Sequence, residues 1–397
     1  MNPVDTVLTR EDGLRLNVLM TQAEAVRIDP RGPTVVALAG GRELRVELHP
    51  QGREDAYLLA VRRLLASLVI GHPGGFPVFI RRWLRGGQLE NLRSADLLKL
   101  GEPEAVLAAA AAPGVDEALA RRAWWAHPEA AVARALLANP ALTAAGLRRE
   151  LAASLAEHLP FEQDEGAVMA TVRLIAAPGL LPPEARLRLW RRGSQRLACR
   201  VGFLQAAPDD LPEPRPARVL ATADAAALAG AAAAGNPVAV TLVRLLDAPG
   251  QSLLAACDAI LEEPQHRDIV SPLLNLLGER CRPQGLALTA ADDIGDLQAA
   301  VAAQLAEPET PAARLLAAAP ELAGEVRALL LLAGSHEALC YPVFARSTAS
   351  GSLLRDKLAP RLQPLRAAVA TLLGGAQVGA APGRRRRASA TRLSKRG

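Results

Sequence analysis

At 397 residues, 50% hydrophobic and 22% charged, the chain has the apolar content for a large core and two or three structural units, which excludes a wholly disordered polypeptide. Its formal charge of +5 is concentrated at one end: residues 380–397 carry seven basic side chains and no acidic one, and removing those seven leaves −2 on the rest. A body so nearly neutral excludes a general polyanion-coating surface, and four widely spaced cysteines, Cys199, Cys257, Cys281 and Cys340, exclude a dense disulfide scaffold.

The first ~95 residues predict a small α+β module. Asp5, Glu11 and Asp12 interrupt the start, so no export signal is expected. Leu14, Val18 and Leu19 have helical spacing, and three strand-like runs follow at Ala25–Ile28, Thr34–Leu38 and Leu44–Leu48. Pro30, Gly32 and Pro33, then Gly40 and Gly41, separate these runs by tight turns, which predicts an antiparallel meander. A helix over Glu54–Ile70 should cover its apolar face.

From residue 96 to 373 short Ala/Leu/Val runs are cut by Pro, Gly, Asn and Asp. Aromatics are only 3%, and Ala and Leu are strong helix formers, so the fold class is mainly α: HEAT-like or irregular stacked helical hairpins behind the α+β module. Pro103, Pro128, Pro183, Pro237 and Pro311 each open a run, where a missing N–H costs nothing. Asp116, Thr143 and Ser252 are expected N-caps, and the Pro-Gly pairs at Pro113, Pro178 and Pro249 are expected to follow helix ends. Val168, Val172 and Ile175 share one helix face, with Arg173 turned away. The uncharged run Ala225–Val243 contains Gly230, Gly235, Asn236 and Pro237, and reads as two buried helices around a turn rather than a membrane span. Asp209–Pro216, rich in proline, is the candidate internal boundary. Residues 374–397, Gly-, Ala- and Arg-rich, are expected to form a disordered basic tail.

Candidate chemistry is sparse. Gly71–Pro77 (GHPGGFP) could offer backbone N–H groups to an anion beside Arg81 and Arg82, but it lacks the Lys-Ser/Thr of a P-loop and reads better as a turn into a helix carrying Phe79 and Trp83. No histidine pair has metal spacing. His127-Pro128-Glu129 echoes one half of a zinc-deaminase motif without its PCxxC partner, so neither a metal nor any other cofactor is expected. The acidic groups Glu162/Asp164/Glu165 and Asp292/Asp293/Asp296 read as solvated helix starts, and Thr348–Ser352 fails the GxSxG pattern. Cys199 lies among Arg196 and Arg200, whose charge would favour thiolate, making it a candidate reactive thiol. Arg121, Arg122, Trp124 and Trp125 form a candidate partner-binding cluster, because adjacent tryptophans point ~100° apart on a helix and arginine beside tryptophan favours binding hot spots. Arg384, Arg385, Arg386 and Arg387 could hold a polyanion by salt-sensitive charge, giving weak, non-specific nucleic-acid contact.

Several strings in order, Leu14–Asp29 (LRLNVLMTQAEAVRID), Gly71–Gln88 (GHPGGFPVFIRRWLRGGQ), Leu97–Val106 (LLKLGEPEAV), Asp116–Ala126 (DEALARRAWWA) and His158–Glu165 (HLPFEQDE), resemble the DsrS family. Val172–Leu181, Leu189–Gly193 (LWRRG) and Val201–Pro212 (VGFLQAAPDDLP) continue the likeness, which covers the first ~215 residues; none is a catalytic motif. The resemblance implies a cytoplasmic accessory protein of the reverse-acting dissimilatory sulfite reductase system, supporting oxidation of stored sulfur without a catalytic role of its own. It implies a protein partner in that pathway and brings no catalytic or cofactor residues. A sulfur-handling role for Cys199 is the enzymatic alternative.

Overall fold

The computed structural model describes residues 8–29, 32–74, 76, 94–264, 266–286, 291–347 and 350–375. The chain is mostly helical and divides into two compact units, Met1–Ala207 and Pro208–Gly397, so Asp209–Pro216 opens the second.

The first unit starts with α1 (Arg10–Gln22), capped by the Thr9 hydroxyl, which accepts from the Asp12 N–H at 3.2 Å. Then come β1 (Ala25–Ile28), β2 (Thr34–Ala39) and β3 (Arg42–Glu47), a three-stranded antiparallel sheet of order β1-β2-β3, and α2 (Glu54–Ile70). The register sets Arg27 beside Val36 and Val36 beside Arg45. Because side chains alternate across a strand, Val26, Val35, Ala37, Leu44 and Val46 occupy the opposite face and pack with Leu16, Leu19, Tyr57, Val61 and Leu65 of α1 and α2. The expected meander and covering helix are present.

Short helices follow: α3 (Ser94–Leu97), α4 (Pro103–Ala111), α5 (Glu117–Ala126), α6 (Ala130–Ala138), α7 (Ala145–His158), α8 (Glu165–Ile175), α9 (Pro183–Arg192) and α10 (Leu197–Ala206). Val168, Val172 and Ile175 are fully buried, as their spacing required. Helices α8 and α10 approach so closely that a Cβ on Gly202 would lie 2.5 Å from the Met169 carbonyl oxygen.

In the second unit, α11 (Thr222–Ala233), α12 (Pro237–Leu246), α13 (Ala248–Glu262), α14 (Arg267–Cys281), α15 (Ile294–Ala306), α16 (Pro311–Ala318), α17 (Ala323–Ala333), α18 (Tyr341–Phe344) and α19 (Gly351–Leu372) form an irregular helical stack. Among the described residues no single helix is long and apolar enough to cross a membrane; α12 and α13, apolar as a pair, meet at a 76° bend.

Several local expectations needed correction. Of α11 only Leu228 is buried, its other apolar positions being mainly alanines, whose methyls gain little from burial. Pro249-Gly250 follows the end of α12 at Leu246, as expected, and also falls in the first turn of α13, whose start the Asp247 carboxylate caps through the Ala248 N–H at 2.8 Å. Ser252 therefore lies inside α13, where its hydroxyl donates to the Ala248 carbonyl at 2.7 Å. Thr143 is displaced from its expected cap by Ala144, whereas Asp116 caps α5 through the Leu119 N–H at 2.7 Å. Pro128 lies two residues ahead of α6, and Pro103, Pro183, Pro237 and Pro311 each begin their helix.

Candidate functional site

The sheet face turned away from α1 and α2 carries Arg27, Val36 and Arg45 in one cross-strand row. Opposite this row stand the start of α4 and the turn after α5, and between them lies a cleft of about 650 Å³. Ile28, Val36, Pro103, Val106 and Pro128 supply its apolar lining, while Arg27, Arg45, Arg62, Glu102, His127 and Glu129 bring charge of both signs. An apolar lining with a few convergent polar groups is the usual composition of a binding site.

Gly101 makes the α4 wall possible. Its φ of +66° is the left-handed conformation that glycine tolerates, and a Cβ there would sit 3.3 Å from Cγ1 of Ile28. That turn delivers Glu102, whose Oε2 accepts the Phe76 N–H at 3.1 Å. Burial raises the Glu102 pKa; the Phe76 bond and the Arg62 charge oppose this shift without cancelling it. Across the cleft, His127 Nε2 lies 3.2 Å from Glu129 Oε2.

Trp125 joins α5 to this site. Its indole Nε1 donates to Glu43 Oε1 at 2.9 Å, and the Arg27 guanidinium stacks 4.6 Å above the ring while donating to the same Glu43 oxygen at 2.8 Å. Arg45 donates to Glu43 Oε2 at 2.9 Å. The Trp125 bond, then the Arg45 bond and the two arginine charges, hold the Glu43 carboxyl below its ordinary pKa despite slight desolvation.

Trp124, about 100° around the helix, faces the other way. Its Nε1 donates to Glu150 Oε1 on α7 at 3.1 Å, and Arg121 reaches Glu117 at 2.7 Å and Glu150 at 3.9 Å. Arg122 pairs with Glu24 at 3.3 Å. The four residues of the sequence cluster are thus divided between two neighbours: Trp125 and Arg122 toward the meander, Trp124 and Arg121 toward α7. Both tryptophans remain half-buried.

Cys199 has a different character from the one its arginine neighbours suggested. Its side chain is buried in α10, and this burial pushes the thiol up to about 11, outweighing the lowering by Arg196 and Arg192. Arg196 is instead engaged by Glu165 at 2.8 Å, and the Arg200 guanidinium lies 3.9 Å over the Trp190 ring. Cys281 and Cys340 are pushed up to about 12 by burial, and Cys257 is raised further still. No thiol has a disulfide partner.

Among the described residues no group of three or more His, Cys, Asp or Glu side chains is placed to hold a metal ion. Asp164 and Asp293 cap α8 and α15, through the Ala167 N–H at 2.6 Å and the Gly295 N–H at 2.8 Å. Gly71 ends α2 at φ 67°, and His72 Nδ1 accepts the Gly74 N–H at 2.9 Å; Phe79, Arg81, Arg82, Trp83 and the tail arginines Arg384 to Arg387 lie outside the described residues.

Sequence reading missed the cleft because its members come from six separate elements, β1, β2, β3, α2, α4 and α5. Arg27 and Arg45 alternate with apolar strand residues and read as ordinary solvent-facing positions. Only the Glu-Pro pair at Glu102 and the His127-Pro128-Glu129 turn marked unusual backbone there. No protein-family model, curated protein or solved structure matches the chain.

Proposed function

We infer that this chain is a non-enzymatic, cytoplasmic accessory or scaffold protein of dissimilatory sulfur oxidation, and that it binds a protein of that pathway. The pathway rests on the ordered strings from LRLNVLMTQAEAVRID to VGFLQAAPDDLP and their likeness to the DsrS family. The binding role rests on one observation: the cleft between the Arg27/Val36/Arg45 row and the α4 and α5 ends combines an apolar lining with fixed charges of both signs. A partner's loop bearing an apolar anchor and flanking charges fits such a surface, with the lining residue Arg27 held in place by Trp125 and Glu43.

Titrating the purified full chain calorimetrically with purified proteins of the sulfite reductase system tests the reading. Arg62→Glu and His127→Ala, together in the cleft, should weaken the association about tenfold or more while leaving the thermal melt unchanged. Absence of binding by the unmodified chain to any protein of that system would sink it, and unaltered binding by the double variant would move the contact elsewhere.

A further inference from the structure

On the other side of the sheet, α1 leaves β3 partly uncovered. Leu14 and Val18 are 67% and 57% exposed, and with Leu44 and Val46 they line a trough of about 470 Å³. They turn outward from α1 beside an open strand edge. β1 has its outer edge occupied, since the Val26 N–H donates to the Leu98 carbonyl at 2.8 Å. β3 is last in the sheet order, with no strand beyond it among the described residues.

The direction of that free edge is fixed. The Leu48 N–H donates to the Pro33 carbonyl at 2.7 Å, in line with the β2–β3 register, so Leu48, Val46, Leu44 and Arg42 direct their backbone groups inward. Glu43, Arg45 and Glu47 direct theirs outward, ready to pair with another strand.

We propose that this edge pairs with the same edge of a second copy of the chain, forming a homodimer with a continuous six-stranded sheet. The sequence of β3 is self-complementary in one sense only. When two copies run antiparallel about a twofold axis through Leu44, Glu43 of each lies opposite Arg45 of the other, and Leu44 meets Leu44. Centring on Glu43 or Arg45 sets that like-charged residue against itself, which is destabilising. Centring on Val46 pairs Arg45 with Glu47 but leaves most of the strand unmatched. A twofold axis normal to the sheet keeps both α1 helices on one side, so Leu14 and Val18 of the two copies close over the axis and bury the apolar trough. An edge strand flanked by exposed aliphatic side chains is thereby covered by the surface that matches it in charge.

Sedimentation equilibrium of the full chain tests this, with each variant's thermal melt as the folding control. The unmodified chain should be a dimer, and Arg45→Glu, which opposes two carboxylates at each end of the pairing, should weaken self-association about tenfold or more. Glu43→Arg alone should do the same. Mixing the two single variants should restore a dimer, because each then presents the charge that the other needs; the Val46-centred register would leave one repulsive pair in that mixture. Leu14→Glu, at an exposed position, should dissociate the dimer without loss of fold, and serves as the independent probe if Glu43→Arg fails to fold. A monomer at about 100 μM, or a dimer indifferent to both Arg45→Glu and Leu14→Glu, overturns the proposal.

Discussion

The hydroxyl of Tyr57 on α2 donates to Oδ2 of Asp12 on α1 at 2.5 Å, tying the two helices of the α+β module through a fully buried carboxylate. The His49 N–H donates to the same oxygen at 2.8 Å, and the Thr9 N–H donates to the Tyr57 oxygen at 3.4 Å. Burial alone would raise the Asp12 pKa, but the bonds from the His49 backbone, Tyr57, the His49 ring and Thr9 together hold it below its ordinary value. Removing the hydroxyl in Tyr57→Phe should therefore cost about 1.5–3 kcal/mol, the usual loss for a bond to a charged group. Urea unfolding checks this, and a cost under about 0.5 kcal/mol would show that the bond contributes little.

The same carboxylate makes stability depend on pH with a definite sign. Its folded pKa is depressed, so the ionised form stabilises the native state above the unfolded carboxyl pKa of about 4, and that contribution is lost as pH falls through the lower folded value. Asp12→Asn should flatten the unfolding midpoint in that acidic window relative to the unmodified chain. Parallel pH curves for the two proteins would refute the assignment.

Gly202→Ala should separate α8 from α10. A methyl there meets the Met169 carbonyl at 2.5 Å and the Val172 Cβ at 2.9 Å, both belonging to a well-packed helix. The overpacking should cost about 1–3 kcal/mol. A melt within error of the unmodified protein would mean that the helices move apart freely.

Arg218 holds the end of α19. Its guanidinium donates to the Thr371 carbonyl at 2.6 Å, the Leu372 carbonyl at 3.2 Å and Glu325 Oε1 at 2.5 Å, while Gln251 Nε2 also reaches the Leu372 carbonyl at 3.1 Å. Carbonyls at a helix C-terminus lack helical donors, and a cation there is favoured twice, by hydrogen bonding and by the helix dipole. Arg218→Ala strands the largely buried Glu325 carboxylate as well, so a loss of about 3 kcal/mol is expected, with faster amide exchange over residues 365–372. Unchanged exchange in that segment would contradict the capping role.

Native-state alkylation at neutral pH should be slow at all four cysteines, including Cys199, whose pKa is pushed up to about 11. Labelling should accelerate only when the fold opens in denaturant. Rapid modification of Cys199 alone, read by intact mass, would reinstate it as a reactive centre.

What the sequence disclosed follows the range of the physics involved. Backbone signals acting within a turn were legible: Gly40 and Gly41 at the β2–β3 hairpin, Asp116 as a cap, and Pro103, Pro183, Pro237 and Pro311 as helix starts. The Val168, Val172 and Ile175 face was legible because 3.6-residue periodicity records burial directly. At Leu14, Val18 and Leu19 the spacing marked a helix, which α1 is, but periodicity does not report whether a neighbour arrives to cover a face, and Leu14 and Val18 stay exposed. At Cys199 proximity along the chain pointed to the arginine charges, which do pull the thiol pKa down, while the opposing effect of burial has no signature in the local sequence. Glu43 carried no local signal, and its role appears only where β3 meets Trp125 of α5 and Arg27 of β1.

Burying all four cysteines, with their pKa values pushed up as a result, also gives the molecule a practical property. Thiols that lack an accessible anionic form react poorly with maleimides, hydroperoxides and mercurials, so a cysteine newly placed on the surface would be the one position to take up a probe. Spin labels or fluorophores can thus be attached to a chain retaining all its natural residues except the one exchanged, and distances within each unit can be read without first stripping cysteines from its core.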